Sequence, residues 1–115
     1  MSEKLRQLLV ALKKAHPRQD EALRICFSTM LKFVTNVGSA PGEDKFRRIK
    51  LNNAAVQQRV AAFPGAIEFL ELAGFKREGG GGEVLELKGE PDMMVLQAAA
   101  ENLTSALNNP FFGML

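Results

Sequence analysis

The sequence predicts an α+β domain, mainly helical, with a small three-stranded antiparallel sheet, and three patterns carry that expectation. Leu5, Leu8, Leu9 and Leu12 recur at helical spacing, and a second, broader apolar arc runs from Leu23 to Val37. Near the C-terminal third, two short strand-like segments flank a run of glycines, Gly79 to Gly82. A hairpin of that size is marginal alone, so it needs a third strand or a helix beneath it.

The first helix ends at Pro17, and Asp20 is the expected N-cap of the second. The second helix carries Leu23, Cys26, Phe27, Met30, Leu31 and Val34, widened by Ile25, Phe33 and Val37. So wide an arc implies contacts on two sides and marks the central helix. Asn36 falls in its last turn, and Gly38 is placed to close it in a left-handed conformation. The link GSAPGED is loop chemistry. Asp44 to Arg47 then predicts a helical turn and Arg48 to Leu51 a short strand, the natural third strand of the sheet. Asn52 or Asn53 opens a helix to about Ala62. Pro64 suits the first position of the next helix, where its missing N–H lacks a partner anyway. Ile67, Leu70, Phe69 and Leu72 face inward there, and Gly74 supplies the stop. Phe75 to Glu78 and Glu83 to Lys88 form the hairpin, the latter alternating through Val84 and less cleanly through Leu85 and Leu87. Pro91 and Asp92 start the last helix, with core positions Val95, Leu96, Ala99, Leu103 and Leu107, and the tail NNPFFGML is apolar.

At 115 residues the chain is one domain, 1–115, large enough to bury a core without metals or disulfides. Its organisation is an N-terminal helix at 2–15, a core from about 19 to 108 and a tail at 109–115. The single cysteine cannot form an internal disulfide, and no apolar run approaches the roughly 18 residues of a membrane span. The N-terminal stretch MSEKLRQLLVALKK is too charged for a signal peptide. These features point to a soluble protein of the cytoplasm or nucleus with no membrane partner. A net charge of +2 is too mild for a general nucleic-acid binder. His16, the one histidine, lies in a loop, Cys26 lies on the buried face of a helix, and no metal-ligand spacing occurs. The expectation is a non-enzyme without metal or cofactor.

The stretch most suggestive of function is Asp44 to Phe75. Lys45, Arg47, Arg48 and Lys50 are threaded with Phe46 and Ile49, so the segment can lie on a core while showing cations to solvent. Asn52 and Asn53 follow directly. Only one of two adjacent asparagines can cap a helix, and the other offers two donors and an acceptor to something else. Flanking cations, a free amide and an aromatic-accepting hollow suit an extended acidic peptide with an aromatic anchor. Burying that anchor contributes roughly 1.5–3 kcal/mol, and each charge-assisted hydrogen bond roughly 1.5–3 kcal/mol. After ordering costs, the expected dissociation constant is on the order of micromolar.

The segments KFRRIKLNN and GAIEFLELAGF, opening and closing the run from Lys45 to Phe75, resemble the PUB domain. That module occurs in peptide N-glycanase, in certain UBX proteins and in a ubiquitin ligase of the linear-chain assembly complex. The resemblance extends in register from the second helix through the EVLELK strand. It implies a helical domain with a three-stranded antiparallel sheet, and a function: binding the acidic C-terminal tail of the AAA ATPase valosin-containing protein, whose tyrosine ring enters a pocket. By position, it implies that Asn53 hydrogen-bonds the peptide and that Asn36 is a polar residue at the edge of the site. Phe46 takes an aromatic position, Lys50 a basic one, and Gly74 and Phe75 help line the pocket; Arg47 and Asn52 complete the expected set. Phe46 stands where the N-glycanase version has tyrosine, and Lys50 where it has arginine, which exchanges a bidentate fork for a point charge. Weaker or altered tail recognition is the implied consequence.

Each feature also has a structural reading. Either asparagine can be a plain helix cap, the basic cluster a solvated face, and Phe46 and Phe75 ordinary core residues. Two alternative functions stay open on sequence: a nucleic-acid module resting on Arg47, Arg48, Lys50, Arg59, Lys76 and Arg77, and a homo-oligomerising piece resting on the apolar tail.

Overall fold

The leucine stripe forms helix α1 (Ser2–Ala15), which buries Leu5, Leu9 and Leu12. The computed structural model describes residues 2–78, 83–109 and 112. Helix α2 (Asp20–Ser39) buries Leu23, Cys26, Phe27, Met30, Val34 and Val37, and it packs on both α6 (Met93–Asn108) and the segment 57–61. This is the central helix that the wide apolar arc predicts. Both of its ends differ from expectation. Gln19, not Asp20, holds the N-cap position, because its carbonyl accepts from the Leu23 N–H at 2.9 Å. Asp20 is therefore the first helical residue, a carboxylate at the positive end of the helix. At the other end, Gly38 stays helical and the helix runs on to Ser39. It stops at Ala40 (φ −139°, ψ 69°), which leaves the helical region that the ring of Pro41 disfavours for the residue before it.

The connecting segment follows expectation closely, with helical turn α3 (Asp44–Arg47) and strand β1 (Arg48–Lys50). Next come α4 (Ala54–Val56) and a π-helical turn at Gln57–Ala61, closed by an Ala62 N–H bond to the Gln57 carbonyl at 3.0 Å. Helix α5 (Pro64–Leu72) begins at its proline and ends in a Schellman arrangement. Phe75 N–H bonds the Leu70 carbonyl (3.2 Å) and Gly74 N–H the Glu71 carbonyl (3.1 Å), with Gly74 at φ +121°. Few side chains accept that φ, so glycine is required there.

Strands β2 (Lys76–Glu78) and β3 (Val84–Glu86) complete an antiparallel sheet of order β1-β3-β2, with Ile49 opposite Leu85 and Leu85 opposite Arg77. The connecting glycines, Gly79 to Gly82, lie outside the described residues. Within β3 the alternation runs opposite to the expectation for Val84. Leu85 and, just past the strand, Leu87 face the core, and Val84 is half-buried on the other face. Asp92 caps α6, its Oδ1 accepting from the N–H groups of Met94 (3.1 Å) and Val95 (3.3 Å). Of the expected core positions on α6, Leu96, Ala99 and Leu103 are buried while Val95 and Leu107 are half-buried, and Asn102 and Ala106 join the core. The Asn102 amide donates to the Ala98 carbonyl (2.9 Å) and to Ser2 Oγ (3.1 Å), so a buried polar group pins the start of α1 onto α6. Of the apolar tail, Phe112 packs into the core. The rest of the expected tail beyond Asn109 lies outside the described residues.

Candidate peptide-binding site

The site is built on the turn that leaves β1. Lys50 ends the strand, and its carbonyl accepts from Asn53 N–H at 3.2 Å, closing a turn over 50–53. Leu51 is the buried peg of this turn, and its N–H bonds the Glu83 carbonyl at 2.7 Å. With Leu51 inward, Lys50, Asn52 and Asn53 are exposed. Asn53 is the cap: its Oδ1 accepts from Ala55 N–H (3.0 Å) and Val56 N–H (3.3 Å). Only the oxygen is engaged. Among the described residues, the NH2 of Asn53, the whole Asn52 amide and the Lys50 ammonium carry no hydrogen bond or ion pair.

The remaining expected residues divide into two groups. Phe46 is half-buried at the edge of the core, with the Lys45 ammonium 5.1 Å from its ring centroid. Asn36 is half-buried in the last turn of α2, a helix that packs on α3. Both keep accessible surface. Arg47 serves the interior instead. Its Nε donates to the Pro41 carbonyl at 2.6 Å, and its Nη1 to the carbonyls of Leu87 (3.1 Å) and Gly89 (2.8 Å). It thus clamps the loop before α3 to the strand end after β3, and so fixes where Phe46 and Lys50 stand. Phe75 is 1% exposed and offers no ring face to a ligand. Gly74, exposed, sets the turn that buries it. The expected pocket wall at Phe75 is therefore core, because the Schellman turn aims the residue after the glycine back at its own helix.

Charge on this surface is more balanced than the basic run suggests. Arg48 Nε pairs with Glu86 at 2.6 Å, and Lys88 pairs with Glu78 at 3.1 Å. Arg48, Glu86 and Lys76 face one another across the three strands. Two features were not legible in the sequence. One is Gln57, exposed one turn after Asn53 and bonded to it through backbone (Gln57 N–H to Asn53 carbonyl, 2.9 Å). The other is the π turn that follows it. Two cavities, of about 990 and 480 Å³, lie elsewhere, and neither is lined by a residue of the expected set. Among the described residues no group of three or more histidine, cysteine or acidic side chains is arranged to hold a metal ion, and no helix is long and apolar enough to cross a membrane. Burial pushes the Cys26 thiol up to about 12.

Residues 20–101 match the PUB domain family. The chain belongs to that family. This PUB domain is 35% identical over 96 residues to UBX domain-containing protein 6 of Caenorhabditis elegans, an overlap covering 84% of the chain and 21% of the worm protein. Over 60 residues it is 33% identical to the mouse protein of the same name, covering 52% of the chain and 14% of that protein. Over 47 residues it is 32% identical to plant UBX domain-containing protein 2 of Arabidopsis thaliana. The chain thus spans about a fifth or less of the length of these relatives. The family match starts at the first residue of α2 and ends within α6, so it contains the whole candidate site. Family membership makes this PUB domain a protein-interaction module.

Proposed function

We propose that this PUB domain binds the acidic C-terminal tail of valosin-containing protein, using the turn 50–53 with Phe46 and Asn36 on its flanks. The observation that carries the proposal is the division of labour within Asn53: its oxygen caps α4 while its NH2 stays available, one turn from an unpaired lysine. In this reading the NH2 donates to a tail carbonyl, Lys50 meets a tail carboxylate, and the tail's aromatic ring lies against the half-buried face of Phe46. Asn52 supplies a second free amide, and Gly74 with the buried Phe75 takes part only as the turn that ends α5. Such contacts link a parent protein to ubiquitin-dependent and ER-associated quality control in the cytoplasm.

The test is a titration of the labelled domain with an acidic peptide ending in Leu-Tyr-Gly. The amides of Lys50 and Asn53 are expected to shift with a dissociation constant on the order of micromolar. Lys50→Glu should weaken binding by roughly tenfold, less as salt is raised, since an exposed pair is screened. Signals that stay still at millimolar peptide but move with an oligonucleotide would refute the proposal in favour of nucleic-acid binding.

A further inference from the structure

The larger cavity lies at the end of α2 remote from Asn36, where the end of α1, the start of α2 and the end of α6 meet. It encloses about 990 Å³, at the upper end of the few-hundred to roughly 1,000 Å³ range of ligand-sized clefts. Its floor is apolar: Leu23 and Phe27 lie at the base, and Val10 and Leu107, both half-buried, leave apolar surface in the cleft. Its rim is basic. Lys13 and Lys14 come from the last turn of α1 and Arg24 from α2, against one lining carboxylate, Asp20. Among the described residues none of these four forms an ion pair, and Arg24 donates from Nη1 to the Leu107 carbonyl at 3.1 Å. Among the described residues, the remaining donors of that fork have no partner at the groove's edge.

Phe112 shows what this wall accepts. Its ring, 7% exposed, lines the groove with Lys13 Nζ 5.7 Å and Arg6 Cζ 5.5 Å from its centroid. An aromatic side chain and its surrounding cations therefore already coexist on this wall. A groove with an apolar floor and unpaired cations at its lip is complementary to a segment with the reverse layout, apolar side chains inward and carboxylates outward. We propose that this groove is a second docking site, for an acidic, amphipathic peptide segment of a protein partner. Asp20 and Asn36 are 16 residues apart on α2, or about 24 Å at the helical rise. The groove's lining shares no residue with the turn 50–53, Phe46 or Asn36, so it does not depend on the function proposed there.

The probe is a capped seven-residue peptide alternating aspartate with leucine around a central phenylalanine, titrated into the labelled domain. The amides of Lys14, Arg24 and Leu107 are expected to shift, with the affinity read from those amides reduced at least fivefold in Lys13→Glu/Lys14→Glu. A thermal melt of the double variant controls for folding, both lysines lying on the rim. Shifts confined to Lys50 and Asn53 would overturn the groove while leaving the other site's function intact. An all-glutamate peptide that binds the groove equally well would overturn it too, since the apolar floor would then be idle. So would anionic phospholipid vesicles moving these amides when the peptide does not, or shifts that grow with protein concentration alone, which would mark self-association.

Discussion

Asn53 caps α4 through its oxygen, and the proposed peptide contact uses its NH2, so substitutions can separate the two. Asn53→Ala removes the oxygen that accepts from Ala55 and Val56, and loss of an asparagine cap costs about 1 kcal/mol, within 0.5–2. In a domain of this size that lowers the melting temperature by roughly 4–5 °C. It also removes the NH2, whose hydrogen bond to a peptide carbonyl is worth about 0.5–1.5 kcal/mol, or roughly 2- to 12-fold in affinity. Asn53→Ser keeps a capping oxygen and deletes only the amide donor. The serine variant should therefore melt within about 1–2 °C of the parent and yet bind the tail peptide several-fold more weakly, as measured by calorimetric titration beside a circular-dichroism melt. If Asn53→Ser binds as tightly as the parent while Asn53→Ala only melts earlier, the side chain is a cap and nothing more, and the peptide contact assigned to it is wrong.

Gly74→Ala should destabilise by about 1–2 kcal/mol, seen as a lower denaturation midpoint. The added Cβ would sit 3.6 Å from Leu87 Cδ1, an ordinary contact, so the cost comes from φ +121° and not from a clash. Arg47→Met should cost at least about 2 kcal/mol in a denaturant melt, because it strips a charged donor from three carbonyls; a change below about 0.5 kcal/mol would deny the clamp. The Cys26 thiol, raised from 9.0 to about 12 by burial, stays protonated in the fold when the unfolded chain has released its proton. The native state then binds more protons between pH 9 and 12, so stability falls as pH rises through that window and is unaffected by this group below it. Thiol labelling of the native protein at pH 8 should accordingly be limited by unfolding; labelling at the rate of a free thiol would contradict the burial.

Local chemistry was enough to place the elements wherever one residue type has one strong use. Pro64 starts α5, Gly74 ends it with φ positive, and Asp92 caps α6. The order of segments around Arg48 to Lys50 was legible as well, because a hairpin needs a third strand and few segments could supply it. The sequence also led to the asparagine pair, though not to which member caps. That was decided by Leu51: once its side chain is pegged into the core and its N–H tied to Glu83, the turn delivers Asn53 to the helix start and leaves Asn52 outside.

Where several uses compete, only the tertiary structure chose. Arg47 and Lys50 read alike as cations on one basic run, yet one is drawn inward by three carbonyls from distant segments and the other is left in water. Phe46 and Phe75 read alike as site aromatics, yet a 6→1 hydrogen bond folds the second against its own helix. The apolar groove and its basic rim together join residues from three helices, and no window of sequence contains them. Periodicity and capping are properties of neighbours along the chain, so the sequence by itself determines them. Which cation stays free, and which ring stays accessible, depends on groups dozens of residues away that only the assembled core brings within reach.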